Sequence, residues 1–244
     1  MLTGLVPGRP APKGNKDKEK TAKGPIVMAD LKNEKIFVFC DFDGTITATE
    51  SLEAVFREFL PGKWEPVKKK LIAGETTLRQ AVPAMIEAIE SEKCPEIARF
   101  VSEIPIRPGF SDFLNFLENT GIPMVIVSGG VRKMVEIKLG ELLGQIHDVV
   151  AVDVDASGPY LSVHSAFSGG SELVDKAAVI DSYGADVKIV VGDGITDFNM
   201  VRHADLVFAR DSLAKYLERK KARHVMWEDF TDIRHHLEQW LIDR

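Results

Sequence analysis

Two aspartates, Asp41 and Asp43, follow directly on an apolar run and are themselves followed by a glycine. The run, residues 36–40, is apolar throughout, which is typical of a parallel strand that is covered on both faces. Open α/β sheets bind their ligands beyond the carboxyl ends of such strands. The pattern therefore predicts that Asp41 and Asp43 lie in an active site, although Asp and Gly are also common in ordinary turns.

Two later segments repeat the sequence of strand, polar loop and helix. Residues 123–127 are predicted to form a strand that ends in Ser128-Gly129-Gly130. A hydroxyl and backbone N–H groups in front of a helix can bind an anion, but an ordinary turn is also open for this loop alone. Residues 187–191 are predicted to form a third strand, and Asp193 and Asp197 follow it.

Four carboxylates at one edge of a sheet would repel each other unless a cation offsets their charge. Mg²⁺ takes oxygen ligands and usually retains waters and a substrate phosphate. Lys176 falls in the first turn of a predicted helix, residues 173–183, where the helix dipole disfavours a cation. Position alone leaves a solvated and a ligand-binding role open for it, while Lys188 should point away because it lies within a predicted strand. A nucleophilic carboxylate, an acid–base group, a cation and a metal together meet the needs of phosphoryl transfer.

The elements that must position these residues alternate between strands and helices. Three buried strands, each ending in a polar loop, predict an α/β fold: a Rossmann-like parallel sheet with helices on both faces. Residues 149–167 suggest a hairpin around Ser157-Gly158-Pro159, which would form a small flap. The remaining predicted elements are strands 205–209 and 224–226 and helices 110–120, 131–143, 212–221 and 230–242.

A helical insertion is predicted between the first strand and the rest of the sheet. Residues 48–104 contain two stripes of apolar residues at helical spacing, one beginning at Leu52 and the other at Leu78. They define a helical cap domain, and residues 35–47 with 105–244 define the core domain. Such a cap would exclude water and carry side chains that read the substrate. Residues 1–34, rich in Pro, Gly and Lys, are predicted to be a disordered tail.

Composition limits the partners and the setting. A chain of 244 residues that is 45% hydrophobic can bury a sizeable core. The formal net charge of −6 gives no basic excess to attract nucleic acid or a membrane surface. The two cysteines, Cys40 and Cys94, have neither metal-ligand nor disulfide spacing, and no apolar run is long enough to span a membrane. We expect a cytoplasmic protein with a small-molecule partner and leave its oligomeric state open.

The motifs, taken together and in order, resemble those of the haloacid dehalogenase superfamily, and specifically of its phosphatases, over residues 36–242. The resemblance implies that Asp41 forms an aspartyl-phosphate, and that Asp43 protonates the leaving oxygen and then activates water. It also implies that Mg²⁺ is the cofactor, held by Asp41, the backbone carbonyl of Asp43 and Asp193, with support from Asp197. Phosphoryl oxygens would be bound by Ser128, Gly129 and Lys176. The motifs are Asp41-Phe42-Asp43-Gly44-Thr45, Ser128-Gly129-Gly130, Lys176 and Gly192-Asp193-Gly194-Ile195-Thr196-Asp197.

The location of the cap is similar to the subgroup that contains phosphoserine phosphatases and methionine-salvage phosphatases. Glu50 matches an acidic residue of the former, and Arg79 is a possible substitute for their cap arginine, although Pro83 stands near the expected place. Residues 205–211 and 227–234 resemble the latter more closely. We therefore expect 2-hydroxy-3-keto-5-methylthiopentenyl-1-phosphate as substrate, with phosphoserine as the runner-up and with Glu50 and Arg79 as the cap residues that contact the substrate. A phosphomutase and a non-catalytic phosphate-binding module remain alternatives.

Overall fold

The strands of the described residues form one mostly parallel sheet, as predicted. The structure is a computed structural model, and it describes residues 34–164 and 171–244; the predicted tail, apart from residue 34, and the end of the predicted flap lie outside these ranges. The described sheet has seven strands in the order β4-β3-β2-β1-β5-β6-β7, and neighbours are parallel except for β3 and β4. The strands are β1 (Ile36–Cys40), β2 (Met124–Val131), β3 (Asp148–Asp155), β4 (Ser162–His164), β5 (Val187–Gly192), β6 (Leu206–Ala209) and β7 (Val225–Met226).

The first strand occupies the centre of the sheet. It pairs with β2 on one side, with Cys40 opposite Ile126, and with β5 on the other, with Cys40 opposite Val191. Because all three strands run in the same direction, their carboxyl ends meet at one edge. This arrangement confirms the predicted fold class and brings the three polar loops together.

Helices cover both faces of the sheet. Val38 and Cys40 pack with α5 (Phe110–Thr120) and α9 (Phe230–Ile242) on one face. Phe39 points to the opposite face and packs with α7 (Lys176–Ser182) and with residues of the cap. The other helices of the core are α6 (Arg132–Leu139) and α8 (Asp211–Lys220). No helix within the described ranges is long and apolar enough to cross a membrane.

The insertion after β1 is helical, as predicted, and contains two helices that the apolar stripes did not reveal. Two paired linkers join it to the core: Thr47 lies antiparallel to Ile106, and the N–H of Ala48 donates to the Pro105 carbonyl at 3.0 Å. The cap helices are α1 (Ser51–Phe59), α2 (Trp64–Ala73), α3 (Leu78–Ile86) and α4 (Cys94–Glu103), of which α2 and α4 were not individually predicted.

The predicted hairpin is present in its described part, where β3 and β4 pair antiparallel. Its turn is joined to the cap by backbone hydrogen bonds. The N–H of Ser91 donates to the Pro159 carbonyl at 3.0 Å, and the N–H of Leu161 donates to the Ile89 carbonyl at 3.0 Å. The flap is therefore fastened to the end of the cap that follows α3.

Three local predictions differ from the structure. Residues 128–130, predicted as a loop, form an irregular part of β2, where Val127 pairs with Val150 and Val131 with Val152. The helix predicted from residue 173 begins at Lys176, because Asp175 caps it by accepting the N–H of Ala178 at 3.1 Å. A helix is predicted around residues 198–202, but the chain there forms short 3-10 turns at residues 195–197 and 200–203.

Candidate active site

A buried lysine links two of the converging strand ends. The ammonium group of Lys176 donates to Oδ1 of Asp41 at 2.6 Å and to Oδ1 of Asp197 at 2.8 Å, and all three residues are buried. Lys176 is the first residue of α7. The point at which this helix begins therefore sets the position of the lysine side chain. Lys188 instead contacts Asp181 at 2.8 Å, in agreement with the prediction that it points away.

The carboxylates of the site carry more negative charge than one lysine offsets. Burial and repulsion from Asp197 raise the pKa of Asp41 well above its usual range, and Lys176 opposes them. Burial and Asp197 also raise the pKa of Asp193 to about 6. Burial by itself would lower the pKa of Lys176, but Asp197 and Asp41 raise it above its ordinary value, so the lysine stays charged. The cluster would gain from a further cation.

The aspartates present a donor set that a divalent cation could use. One oxygen from each of Asp41, Asp193 and Asp197 lies within 4.8 Å of the others, and hard cations take oxygen ligands. Asp197 is already engaged by protein groups, because its Oδ2 accepts the N–H groups of Asp193 at 3.0 Å and Gly194 at 2.9 Å. The hydroxyl of Thr45 donates to Oδ1 of Asp193 at 2.8 Å and orients that carboxylate. The residues present therefore fit a divalent cation, with Asp197 in a supporting position.

Two glycines let the backbone lie against these carboxylates. A Cβ atom at Gly44 would lie 2.6 Å from Oδ2 of Asp193, and one at Gly130 would lie 2.7 Å from Oδ2 of Asp43. Each distance is far inside van der Waals contact, so a side chain at either position would displace a carboxylate. Gly44 also has a φ of +78°, which L side chains rarely adopt.

Asp43 is held at the beginning of the first cap helix. Its Oδ1 accepts the backbone N–H of Ser51 at 2.9 Å and also the Ser51 hydroxyl. Burial raises the pKa of Asp43, although the hydrogen bonds from Ser51 oppose that change. A raised pKa favours the protonated form of the carboxyl group, which is the direction that an acid–base residue needs.

The polar segment after β2 forms part of the same site. The hydroxyl of Ser128 accepts the N–H of Gly130 at 2.9 Å, and Ser128 is buried. The irregularity of β2 at these residues turns the segment toward the strand ends. Ser128, Gly129 and Gly130 consequently lie beside Asp41, Asp43 and Lys176 in the lining of one cavity.

That cavity, of about 410 Å³, lies between the core and the cap. Its floor contains the polar residues of the three strand ends and Lys176. The other core residues of the lining include Glu172, Leu173, Val174 and Ile195. The charged residues that the cap and its linker add are Glu50, Lys68 and Glu53, and the last two form an ion pair at 2.7 Å. The rest of the cap wall is apolar: Leu52, Phe56, Trp64, Leu71, Ile72, Leu78 and Val82.

The two predicted cap contacts have different locations. Glu50 lines the cavity although its side chain is exposed, and desolvation at the cavity wall, followed by the carboxylates of Asp43 and Asp193, raises its pKa to about 8. Arg79 is exposed and does not line the cavity. Its helix presents Leu78 and the residue four positions later to the cavity, and a residue next to Leu78 points about 100° away. The expectation that Arg79 contacts substrate is therefore not supported by this geometry.

Three residues with defined contacts in the site were not assigned a role from the sequence. Ser51 holds Asp43, and Thr45 holds Asp193. Arg107 donates to the backbone carbonyl of Thr45 at 2.9 Å. Thr45 lies within a recognised motif, but nothing in the sequence near Ser51 or Arg107 indicates a partner 8 or 62 residues away.

The fold and the site together define a class of hydrolase. The family described as haloacid dehalogenase-like hydrolase matches residues 38–202, and the chain belongs to this family. The match contains most of β1, Asp41 and Asp43, the cap, Lys176, and Asp193 and Asp197.

Two relatives of this chain have names that specify a substrate. The chain is 40% identical over 202 residues to the 2-hydroxy-3-keto-5-methylthiopentenyl-1-phosphate phosphatase of Microcystis aeruginosa, covering 82% of this chain and 96% of the relative. A phosphatase of the same name from Bacillus mycoides (strain KBAB4) is 31% identical over 210 residues, covering 81% of this chain and 94% of the relative.

Solved structures of phosphoserine phosphatases share the fold. One, a phospho-aspartyl intermediate analogue, has a TM-score of 0.64 and 20% identity and covers 85% of this chain and 99% of its own. Another, from T. onnurineus, has a TM-score of 0.64 and 16% identity and covers 84% of this chain and 95% of its own. The family match and the relatives at 40% and 31% identity show that the chain is a phosphatase of the haloacid dehalogenase-like hydrolases.

Proposed function

We propose that the protein is a Mg²⁺-dependent phosphomonoesterase that hydrolyses 2-hydroxy-3-keto-5-methylthiopentenyl-1-phosphate through an aspartyl-phosphate on Asp41. The observation that carries the choice of substrate is the apolar cap wall that faces the charged and polar residues of the core across one cavity. The substrate named for the relatives has a phosphate at one end and a methylthio group at the other.

The floor supplies the groups for the reaction. Lys176 contacts Oδ1 of Asp41, so we assign Oδ2 as the oxygen that attacks phosphorus. As the new P–O bond forms, the bond from phosphorus to the substrate oxygen breaks, and Asp43 donates its proton to that oxygen. Water then attacks the phosphorus of the aspartyl-phosphate and gives its proton to Asp43, and inorganic phosphate and free Asp41 are the products. Ser128, the N–H of Gly129 and Lys176 bind the phosphoryl oxygens throughout.

Asp41, Asp193 and the backbone carbonyl of Asp43 would hold Mg²⁺, and Asp197 would support them. When bound, the ion offsets the negative charge of the carboxylates and of the transferring phosphoryl group. The raised pKa values of Asp41 and Asp193 support this assignment, because they mark carboxylates whose charge the surrounding protein leaves incompletely balanced.

The cap wall favours an apolar tail over a charged one. Phosphoserine ends in a carboxylate and an ammonium group, and burying an unpaired charge against apolar side chains is unfavourable. Of the cationic residues that line the described cavity, Lys68 is paired with Glu53, and Lys176 lies among the aspartates of the floor. Glu50 is the observation that favours phosphoserine, because its carboxylate could accept the ammonium group.

A comparison of substrates tests the proposal. We expect phosphate release from the methylthiopentenyl phosphate with a higher kcat/KM than from phosphoserine, and loss of both on chelation of divalent ions and in Asp41→Asn. A clear preference for phosphoserine would refute the substrate. Transfer of phosphate back to substrate would indicate a mutase, and neither turnover nor metal binding would indicate a binding module.

A matched variant tests whether the tail contacts the cap wall. Val82→Thr keeps the side-chain shape and places a hydroxyl in the wall, so we expect kcat/KM for the methylthiopentenyl phosphate to fall about 10-fold. Glycerol phosphate, which lacks an apolar tail, serves as the control and should be hydrolysed by both forms at the same rate. Equal losses for the two substrates would place the tail elsewhere.

A further inference from the structure

Arg107 lies where the second linker of the cap returns to the core. Its backbone N–H donates to the Ile46 carbonyl at 2.8 Å. Its guanidinium group reaches back along the chain to the turn that follows the nucleophile: Nη2 donates to the Gly44 carbonyl at 2.6 Å and Nε to the Thr45 carbonyl at 2.9 Å. A planar fork with two donors can hold two adjacent carbonyl groups in a fixed relation.

The peptides that Arg107 holds control a carboxylate of the site. Gly44 packs so closely on Asp193 that a Cβ there would lie 2.6 Å from its Oδ2. Thr45 donates its hydroxyl to Oδ1 of the same carboxylate at 2.8 Å. The turn whose carbonyl groups Arg107 holds therefore lies against both carboxylate oxygens of Asp193.

We propose that Arg107 is a positioning residue for cation binding: by holding the Gly44–Thr45 turn, it keeps the Thr45 hydroxyl on Asp193 and that carboxylate directed at the cation. The inference rests on the divalent-cation site proposed above. It goes beyond that proposal because it assigns a role to a residue that touches neither substrate nor cation.

A second arginine provides a matched control. The guanidinium groups of Arg107 and Arg210 both lie over the ring of Trp227, at 5.3 Å and 5.1 Å from its centroid. The side chain of Arg210, however, donates to the Glu228 carbonyl and to Asp211, away from the turn. Substitution of either arginine removes a cation near the site and a contact with Trp227, but only Arg107 holds the turn.

A role of Arg107 through its charge and a role through positioning predict opposite changes in Mg²⁺ affinity, so a binding measurement distinguishes them. A positive charge near Asp193 disfavours a bound cation, so a role through charge alone predicts tighter Mg²⁺ binding when Arg107 becomes neutral. Loss of orientation predicts weaker binding. Changes in residues that orient metal ligands weaken metal affinity about 10–100-fold, and we expect a loss in this range for Arg107→Gln.

The experiment measures Mg²⁺ binding to the metal-free full chain by calorimetry, without substrate. Arg107→Gln should bind Mg²⁺ about 10–100-fold more weakly, whereas Arg210→Gln should bind at least as tightly as the wild type does. Arg107→Lys keeps the charge but lacks the fork, so it should also bind weakly, and it decides the question if Arg107→Gln does not fold. Unchanged or tighter binding in the Arg107 variants, or equal losses in the Arg210 variant, would overturn the proposal.

A double variant tests whether Arg107 acts through Thr45. Thr45→Val should weaken Mg²⁺ binding by a similar factor, and adding Arg107→Gln to it should produce little further loss. Independent losses that multiply would refute the coupling. If the wild type itself binds no Mg²⁺, the proposed metal-dependent function fails, whereas wild-type binding with unaffected Arg107 variants refutes only the role of Arg107.

Discussion

Replacement of Lys176 by methionine should destabilise the metal-free protein strongly. The substitution retains most of the side-chain volume but removes the cation between Asp41 and Asp197, whose nearest oxygens lie 2.6 and 2.8 Å from it. Asp41 is 5% exposed and Asp197 is 0% exposed, so solvent screens little of their repulsion. Removing one partner of a buried ion pair costs about 3–5 kcal/mol, and for a domain of this size that corresponds to a fall in Tm of about 6–20 °C.

The assay is thermal and urea unfolding in a chelator, with Lys188→Met as the control. Lys188 contacts Asp181 at the same 2.8 Å, but the Asp181 side chain is 48% exposed, and exposed pairs contribute only about 0–1 kcal/mol. Equal stability of the two variants would refute the argument that the carboxylates repel each other in the folded site.

The pH dependence of the same variant provides a second check. The pKa of Asp41 is already raised in the wild type and should rise further without the lysine. A carboxyl group with a raised folded-state pKa binds its proton more tightly when folded, so its unfavourable contribution grows as pH rises through that pKa. The stability difference between Lys176→Met and wild type should therefore shrink in acid. A difference that is constant from acidic to neutral pH would show that packing, and not charge, is lost.

Two further variants probe Asp43 and Glu50. Gly130→Ala should lower turnover at least 10-fold with a folded structure, because the new Cβ would displace the Asp43 carboxylate; Gly144→Ala, where a Cβ meets nothing within 4 Å, should turn over normally, and full activity of both would contradict this. Because Glu50 has its pKa raised from 4.5 to about 8, its contribution to the stability of the metal-free protein falls as pH rises across that window. Glu50→Gln should raise the Tm above pH 8 and leave it unchanged below pH 4.5 when both forms are followed by thermal unfolding, and a Tm difference that does not change with pH would contradict this.

The centre of the site could be predicted because it depends on strand direction. Parallel strands bring their carboxyl ends to one edge, so the residues after each apolar run, including Asp41, Ser128 and Asp193, had to converge. Lys176 was different, since its position in the first turn of a helix left two roles open and only the family resemblance favoured the site. Its burial between Asp41 and Asp197 follows from the packing of α7.

The supporting contacts depend on geometry that the sequence pattern does not contain. The guanidinium group of Arg107 donates to backbone carbonyl groups. Every residue has such a group, so no side-chain pattern in the sequence identifies the residues that Arg107 contacts. Ser51 donates to Asp43 because the linker places the start of α1 beside the residues that follow β1. The assignment of Arg79 required its side chain to lie on the face of α3 that lines the cavity. Leu78 and Val82 occupy that face instead.

The central location of β1 has a consequence for synthesis of the chain. The ribosome delivers the N-terminal segments first, so β1, which leads into Asp41, emerges early, but its second neighbour, β5, comes late. Lys176 follows Asp41 by 135 residues, and the hairpin residues that fasten the cap also come well after the cap itself. The nascent protein must therefore keep the β5-facing edge of β1 unpaired while most of the chain is made. Catalytic competence is among the last properties that the growing chain acquires, and this interval is when a chaperone would have the most to protect.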